Sequence, residues 1–192
     1  MIKPRSAMNA PIRKPDAKDA NYKRHVDWVV AWFSRLPRGT VLDIGSGDGL
    51  ISSMLNHIGF KVKGVEVNPL AIKIARAKVP GIEFVAGDYL AQDFKADYVL
   101  ASSVLEFFTL GVGAANFLAK AWRETGRAML VSVKDRLTPP ANPLGFLEFD
   151  KNEVMEMGQD LIGIPSDIGA TIKVDQVGAF IYLQMERANA GK

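Results

Sequence analysis

The stretch VLDIGSGDG at residues 41–49 constrains the fold more than any other part of this chain. Val41, Leu42 and Ile44 are bulky apolar residues that predict a short buried strand, and the run from 50 to 55 is typical of a helix. A strand that turns directly into a helix leaves backbone N–H groups unpaired at the turn. Glycine allows a ligand to approach those groups because no Cβ stands in the way. The stretch therefore predicts a nucleotide-type binding turn.

Predicted strands and helices alternate along the rest of the chain, which is the pattern of βαβ units and a parallel sheet. The predicted helices cover residues 21–36 with Asn21 as the cap, 50–58, 70–78 after an opening Asn-Pro, 114–125 and 151–161. The predicted strands after the first cover residues 61–67, 82–86, 96–101, 128–133, 171–174 and 179–185. Only residues 175–178 separate the last two strands, which is too short for a crossover. The fold class is therefore α/β, a doubly wound, mostly parallel sheet with an antiparallel C-terminal edge hairpin.

The composition suits one globular domain, because 48% of the 192 residues are hydrophobic. The absence of cysteine excludes disulfides, thiolate metal sites and cysteine nucleophiles. No run is apolar enough to span a bilayer and the first 20 residues lack the apolar core of a secretory signal, so we expect a cytoplasmic protein without a membrane partner.

The basic charge is concentrated at the amino end of the chain. Residues 1–24 hold seven Lys or Arg and two acids, whereas the rest of the chain is mildly acidic. Three prolines interrupt any helix in residues 1–20, so these are predicted to be a flexible basic arm before a single domain at 21–192. Such an arm either contacts a phosphate-bearing partner such as nucleic acid or is only a frayed terminus.

Polar residues follow the predicted parallel strands at the edge where such sheets bind ligands, outside the carboxyl ends. The first strand is followed by the glycine turn, the second ends at Glu66, the third leads to Asp88 and the fourth leads to Ser102 and Ser103. Glu66 is placed to accept hydrogen bonds from both hydroxyls of a ribose, and its charge would repel a 2′-phosphate.

Asp88 is placed to accept a hydrogen bond from the exocyclic amine of a base, with Tyr89 or Val67 against the ring of that base. An acid at a strand end often does no more than cap the next helix. The two acids together with the glycine turn favour a nucleotide site.

The ordered set Asp43-x-Gly45-x-Gly47-x-Gly49, Glu66, Asp88 and the edge hairpin resembles the class I S-adenosylmethionine-dependent methyltransferases, over about residues 40–185. The resemblance implies a Rossmann-like sheet of strand order 3-2-1-4-5-7-6 with an antiparallel strand 7. It implies S-adenosylmethionine as cofactor.

The resemblance also implies the roles of the site residues. The backbone of Gly45, Ser46, Gly47 and Gly49 would pack against the methionine and ribose, and Asp43 would organise the turn near the cofactor's amino group. Glu66 would hold the ribose hydroxyls and Asp88 the adenine amino group. The backbone around Ser102 would face the methionine end. Val67 and Tyr89 complete the predicted cofactor-binding set.

A nicotinamide-dependent dehydrogenase is the competing interpretation of the glycine turn. Its usual G-x-G-x-x-G spacing requires glycine at position 50, where this chain has Leu50, and the P-loop pattern is also absent. The spacing therefore favours the methyltransferase.

Residues and motifs that this sequence lacks narrow the choice of methyl acceptor. No cysteine is available for cytosine C5 methylation, and Ala101-Ser102-Ser103-Val104 replaces the Asn/Asp-Pro-Pro-aromatic turn common in methylation of base amines. Positions 102–104 also lack the acids of metal-assisted catechol methylation, so no metal site is predicted. The compact body favours a small-molecule acceptor. An RNA or protein acceptor, or a non-catalytic scaffold of the same fold, stays an alternative.

Glu106 is the first candidate for a catalytic base or acceptor contact, in a region where many small-molecule methyltransferases have a histidine; the alternative is a solvated acid at a helix start. Phe107 and Phe108 either line an acceptor pocket or, more often for such residues, pack in the core. The segment 134–150 is either a wall on the substrate side or an ordinary connection.

The two histidines receive different predictions. Tyr22 and His25 on the first helix either fold over the cofactor as a lid or are ordinary surface or core residues. His57 faces away from the binding edge and is assigned no role.

Overall fold

The computed structural model describes residues 19–108, 112–135, 149–162 and 170–188. These residues form five α-helices and seven strands, with short 3₁₀ turns at Tyr89–Ala91 and Leu105–Phe107. The helices are α1 (Ala20–Ser34), α2 (Leu50–His57), α3 (Pro69–Lys78), α4 (Val112–Glu124) and α5 (Lys151–Ile162). The strands are β1 (Thr40–Ile44), β2 (Lys61–Glu66), β3 (Glu83–Ala86), β4 (Ala96–Ser102), β5 (Thr125–Lys134), β6 (Thr171–Val177) and β7 (Phe180–Glu186).

All seven strands form one sheet of order β3-β2-β1-β4-β5-β7-β6. The pairs from β3 to β5 are parallel, whereas β7 runs antiparallel to both β5 and β6. Only Gly178 and Ala179 separate β6 from β7, and Gly178 takes the left-handed φ of 59° that a tight hairpin needs. The predicted fold class and strand order are confirmed, including the antiparallel edge hairpin.

Alternate residues of the strands face two separate hydrophobic clusters. Along β4, Tyr98 and Leu100 join the cluster that also contains residues of α1, α2 and α3, whereas Val99 and Ala101 join the cluster that contains residues of α4 and α5. This alternation is the two-residue period of a strand that is buried on both faces. The sheet is therefore covered by helices on both sides, and its carboxyl edge is left for a ligand.

The predicted cap of the first helix is wrong. Asp19, not Asn21, caps α1, because its Oδ1 accepts the backbone N–H groups of Asn21 at 3.0 Å and Tyr22 at 3.1 Å. Helix α1 ends at Ser34 rather than at residue 36. The other boundaries agree with prediction to within three residues, and the predicted stop at Gly59 has a left-handed φ of 97°.

The described part of the chain contains no helix that is both long enough and apolar enough to cross a membrane. Residues 1–18 and 136–148 lie outside the described residues. The basic arm, the boundary between arm and domain, and the proposed wall at 134–150 therefore stay predictions.

Candidate functional site

The glycine turn between β1 and α2 is closed on two sides and open on one. A Cβ on Gly45 would lie 2.5 Å from Cγ2 of Val104, and a Cβ on Gly49 would lie 2.9 Å from Cζ of Phe84. At Gly47 the nearest atom to such a Cβ would be a backbone oxygen 4.0 Å away, and the φ of 56° is left-handed. Gly45 and Gly49 therefore allow tight packing, whereas Gly47 exposes backbone toward open space.

Ser46, between the first two glycines, carries a buried hydroxyl with no partner. The residue is 8% exposed, and its Oγ makes no hydrogen bond to any residue that the structure describes. Helix α2 begins directly after this turn with Gly49 as its cap, which offers no side-chain hydrogen bond to the first N–H groups. Unsatisfied polar groups at a helix start are a common place for a polar ligand.

Asp43 lies on β1 beneath α2 and is only 2% exposed. Its Oδ2 accepts the hydroxyl of Ser52, in the first turn of α2, at 2.5 Å. Burial raises the pKa of the Asp43 carboxyl to about 7; the Ser52 hydrogen bond opposes the shift and the charge of Glu66 adds to it. The carboxyl thus ties the start of α2 to β1, which agrees with the predicted role of organising the turn.

Glu66 ends β2 beside the open side of the turn. Its Oε2 accepts the N–H of Gly47 at 3.0 Å and its Oε1 accepts the N–H of Asn68 at 2.8 Å. These two bonds fix the orientation of the carboxylate. An ionised carboxylate can accept about four hydrogen bonds, so each oxygen keeps capacity for one more donor. The structure places this acceptor next to the exposed backbone of Gly47.

Asp88 and Tyr89 follow β3 but face different environments. Asp88 is exposed at the edge, and its Oδ1 accepts the N–H of Leu90 at 2.9 Å. Tyr89 is 4% exposed, and its hydroxyl donates to Oε2 of Glu124 at 2.6 Å. Burial and this hydrogen bond raise the pKa of the Tyr89 hydroxyl above its usual range. The Tyr89 ring thus packs in the core and is not offered to a base, whereas Val67 is partly exposed.

Ser102 and Ser103 lie at the carboxyl end of β4, on the same edge as the glycine turn. Ser103 is a non-glycine residue with a left-handed φ of 54°, a strained conformation often found at functional sites. Its N–H donates to the carbonyl of Ser132 at 2.9 Å. Ser102 is partly exposed, and its Oγ lies 2.8 Å from Nε2 of His25.

His25 therefore reaches the edge from helix α1, although it is only 1% exposed. Its Nδ1 lies 3.0 Å from the hydroxyl of Tyr182 on β7. The residue is a buried, hydrogen-bonded histidine and not a surface residue. His57, by contrast, is exposed and keeps no assigned role.

Glu106 is neither solvated nor presented as a free base. It lies in the second 3₁₀ turn, is 6% exposed, and its Oε1 accepts the N–H of Lys134 at 3.0 Å. The predicted solvated alternative is wrong, because the carboxyl is buried against the end of β5. Phe108 is also buried, with its ring centroid 4.9 Å from that of Phe117, so it packs in the core; Phe107 is partly exposed.

A cavity of about 340 Å³ lies at the opposite edge of the sheet, where β1, β4 and β5 begin. Its lining includes Lys95, Asp97 and Arg123. Open parallel sheets bind ligands at the carboxyl edge, so we place the functional site at the glycine turn and not here. The described residues contain no group of three or more potential metal ligands.

Comparison with known proteins now adds to this geometry. Residues 42–130 match the family model described as a methyltransferase domain. This stretch, just under half of the chain, is therefore identified as a methyltransferase domain. The match runs from within β1 to within β5 and includes every predicted cofactor-binding residue, from Asp43 to Ser102.

Two curated relatives match part of this chain. An uncharacterised methyltransferase of Oceanobacillus iheyensis is 32% identical over 76 residues, which is 38% of this chain and 36% of that protein. A probable ribosomal RNA small subunit methyltransferase A of Methanosarcina mazei is 30% identical over 93 residues, 43% of this chain and 34% of that protein. The matches thus span about a third of the length of these relatives.

Among solved structures, magnesium protoporphyrin IX methyltransferase from Synechocystis, crystallised with S-adenosylhomocysteine, superposes with a TM-score of 0.71. The alignment covers 87% of this chain and 84% of that chain at 19% identity. At this identity the likeness establishes the fold only.

Proposed function

We propose that this chain binds S-adenosylmethionine along the carboxyl edge of β3, β2, β1 and β4 and transfers its methyl group to a small-molecule acceptor. One observation carries the proposal: the backbone at Gly47 faces open space, and the fixed carboxylate of Glu66 stands directly beside it. The turn can therefore receive a ligand closely while the carboxylate accepts its hydroxyl groups.

The residues along this edge fit the cofactor in the order of its parts. Asp88 on the β3 side would accept the adenine amino group, with Val67 against the base. Glu66 would accept the two ribose hydroxyls with its remaining lone pairs. The turn from Gly45 to Gly49 would pack against the ribose and methionine, with the open side at Gly47 toward the ligand.

The bound cofactor would supply a methyl group that is already electrophilic. The chain's own residues must then align a nucleophile, exclude water and, for a protic acceptor, remove a proton. Glu106 is poorly suited to the last task, because its buried carboxylate already binds the backbone of Lys134. We therefore assign Glu106 a structural role.

A small-molecule acceptor is supported by the compact fold and by the fold neighbour that is named for a porphyrin substrate. The named ribosomal RNA relative favours nucleic acid instead. However, Ala101-Ser102-Ser103-Val104 lacks the Asn/Asp-Pro-Pro-aromatic turn that base-amine methylation commonly uses. We therefore place RNA second, and a protein acceptor or a scaffold without activity behind it.

Isothermal titration with S-adenosylhomocysteine tests the cofactor site. Wild type should bind, and Gly47→Leu should abolish binding because its side chain would fill the open space at the turn. Gly81→Leu is the matched control, since a Cβ at Gly81 meets nothing within 4 Å. Absence of heat and of thermal stabilisation with wild type at millimolar ligand would overturn the proposal.

A second pair of variants tests the ribose assignment. Glu66→Ala should weaken binding of S-adenosylhomocysteine by roughly tenfold or more, because hydrogen bonds to a charged group contribute about 1.5–3 kcal/mol each. The control is Glu83→Ala, whose side chain is 62% exposed on β3 in a surface ion pair with Lys63. Equal affinities for the two variants would contradict the assignment.

A screen with methyl-labelled cofactor identifies the acceptor. Metabolite extract, total RNA and protein extract are offered separately to wild type and to Gly47→Leu. Label that depends on wild type in the metabolite fraction supports the proposal. Label in RNA or protein alone would replace the small-molecule acceptor, and no label in any fraction would favour the scaffold.

A further inference from the structure

Three hydroxyl groups stand in one row across β4, β5 and β7. Ser102 pairs with Ser132 in the register of β4 and β5, and Ser132 pairs with Tyr182 in the register of β5 and β7. Paired residues point to the same face of a sheet. The Oγ atoms of Ser102 and Ser132 lie 3.3 Å apart, and His25 bridges the two ends of the row by approaching Ser102 at 2.8 Å and Tyr182 at 3.0 Å.

This row is buried at Tyr182 and partly exposed at Ser102. The ring of His25 is stacked on Phe180 at 4.2 Å, and Tyr182 is stacked on Trp28 at 3.8 Å. His25, Tyr182 and Ser132 are each at most 1% exposed, whereas Ser102 is partly exposed. Among the described residues, Ser102 therefore provides a partly exposed contact between the imidazole and the binding edge.

The open end lies beside the proposed cofactor site. Ile44 pairs with Ala101, so the next residues along, Gly45 and Ser102, are neighbours about 5 Å apart across β1 and β4. In the proposed cofactor site, the base lies at the end of β3, the ribose lies at the end of β2, and the glycine turn follows β1. In that arrangement, the reacting end of the cofactor and its acceptor would lie at the next position along the edge, at β4.

We propose that Ser102 and His25 form the proton relay of the methyl transfer, an inference that rests on the proposed function. The acceptor's lone pair forms the bond to the methyl carbon, and the carbon–sulfur bonding pair returns to sulfur. The acceptor's proton passes to Oγ of Ser102 as the Ser102 proton passes to Nε2 of His25. The products are a methylated acceptor, a neutral thioether and an imidazolium, so charge is conserved.

The relay requires one tautomer of the His25 imidazole, which the contact with Tyr182 can accommodate. For Nε2 to accept a proton, Nδ1 must carry the hydrogen and donate it to the Tyr182 oxygen. Burial raises the pKa of the Tyr182 hydroxyl above its usual range, so the phenol stays neutral and acts only as a hydrogen-bond partner. Ser102 is then the catalytic residue, and His25 and Tyr182 are positioning residues that act through it.

Sinefungin tests the relay without a known acceptor, because it carries an amino group where the cofactor carries the methyl. With ¹⁵N-labelled wild type, sinefungin should move the His25 Nε2 resonance toward its protonated position, and S-adenosylhomocysteine should not. His57, the other of the chain's two histidines, is the internal control and should respond to neither ligand. Identical His25 spectra with both ligands bound would overturn the relay.

The variant Ser102→Ala separates the relay from simple packing. It should abolish the sinefungin response of His25 and raise the ratio of the dissociation constants, sinefungin over S-adenosylhomocysteine, by about tenfold. His57→Gln is the matched control and should leave that ratio within about twofold. A sinefungin response that persists in Ser102→Ala would overturn the relay alone. Failure of both ligands to bind wild type would overturn the cofactor site and the relay with it.

Discussion

The buried carboxyl of Asp43 predicts an unusual dependence of stability on pH. Its pKa is raised from 3.8 to about 7 in the folded chain, mainly by burial. A raised carboxyl pKa means that the folded state holds the proton more tightly, so this contribution is fully present below pH 3.8 and is lost as the pH rises to about 7. A shift of about three units corresponds to about 4 kcal/mol in the free energy of unfolding, of which about 2 kcal/mol is lost between pH 5 and pH 7.

Urea denaturation of wild type and Asp43→Asn at pH 5, 6, 7, 8 and 9 measures this contribution. Asparagine cannot titrate, yet its oxygen can still accept the Ser52 hydroxyl. The measured quantity is the difference in the free energy of unfolding, wild type minus variant. This difference should fall by about 2 kcal/mol from pH 5 to pH 7 and change little above pH 8. The control Asp27→Asn removes a largely exposed carboxylate on α1 and should stay within about 0.5 kcal/mol of wild type throughout. Parallel curves for wild type and Asp43→Asn would refute the assignment.

Two further predictions concern groups beside the site. Glu106→Ala should lower the free energy of unfolding in urea by about 1–3 kcal/mol, because the N–H of Lys134 loses its acceptor, and should change the affinity for S-adenosylhomocysteine less than about twofold. A tenfold loss of affinity at unchanged stability would restore a direct role in the site. Tyr89→Phe removes the donor to Glu124 and should lower the melting temperature in a thermal scan. An unchanged melting temperature would show that the hydroxyl does not anchor the turn after β3, which also carries Asp88.

The architecture was predictable because its signals are local. Each glycine and acid of the binding edge follows a strand directly, so a one-dimensional pattern is enough to bring Glu66 and the turn to the same edge. The hairpin of β6 and β7 follows from a connection too short to cross the sheet. The strand order itself came from the resemblance to the methyltransferase family.

Sequence patterns gave wrong predictions where hydrogen bonds in the folded chain decide the role of a residue. Asp19 and Asn21 are both good caps, and only the bonds formed by Asp19 decide between them. Tyr89 follows a strand at the binding edge, yet the carboxylate of Glu124 draws its hydroxyl into the core. Glu106 is buried because the end of β5, distant in sequence, presents a backbone N–H to it.

The two halves of the proposed site differ in where their residues come from. The cofactor half, from Asp43 to Ser102, lies within residues 42–130, the part that matches the methyltransferase domain model. His25 and Tyr182, which complete the proposed relay, lie outside that part. His25 is 77 residues from Ser102 along the chain, and Tyr182 is 157 residues from His25. A shared cofactor would explain why the first half follows a recurring pattern, whereas the proposed acceptor half joins α1 and β7 to β4 by long-range contacts. Acceptor chemistry in this chain is therefore expected to depend on elements that the family pattern does not describe, and residues of α1 and β7 are the ones to vary when its acceptor is sought.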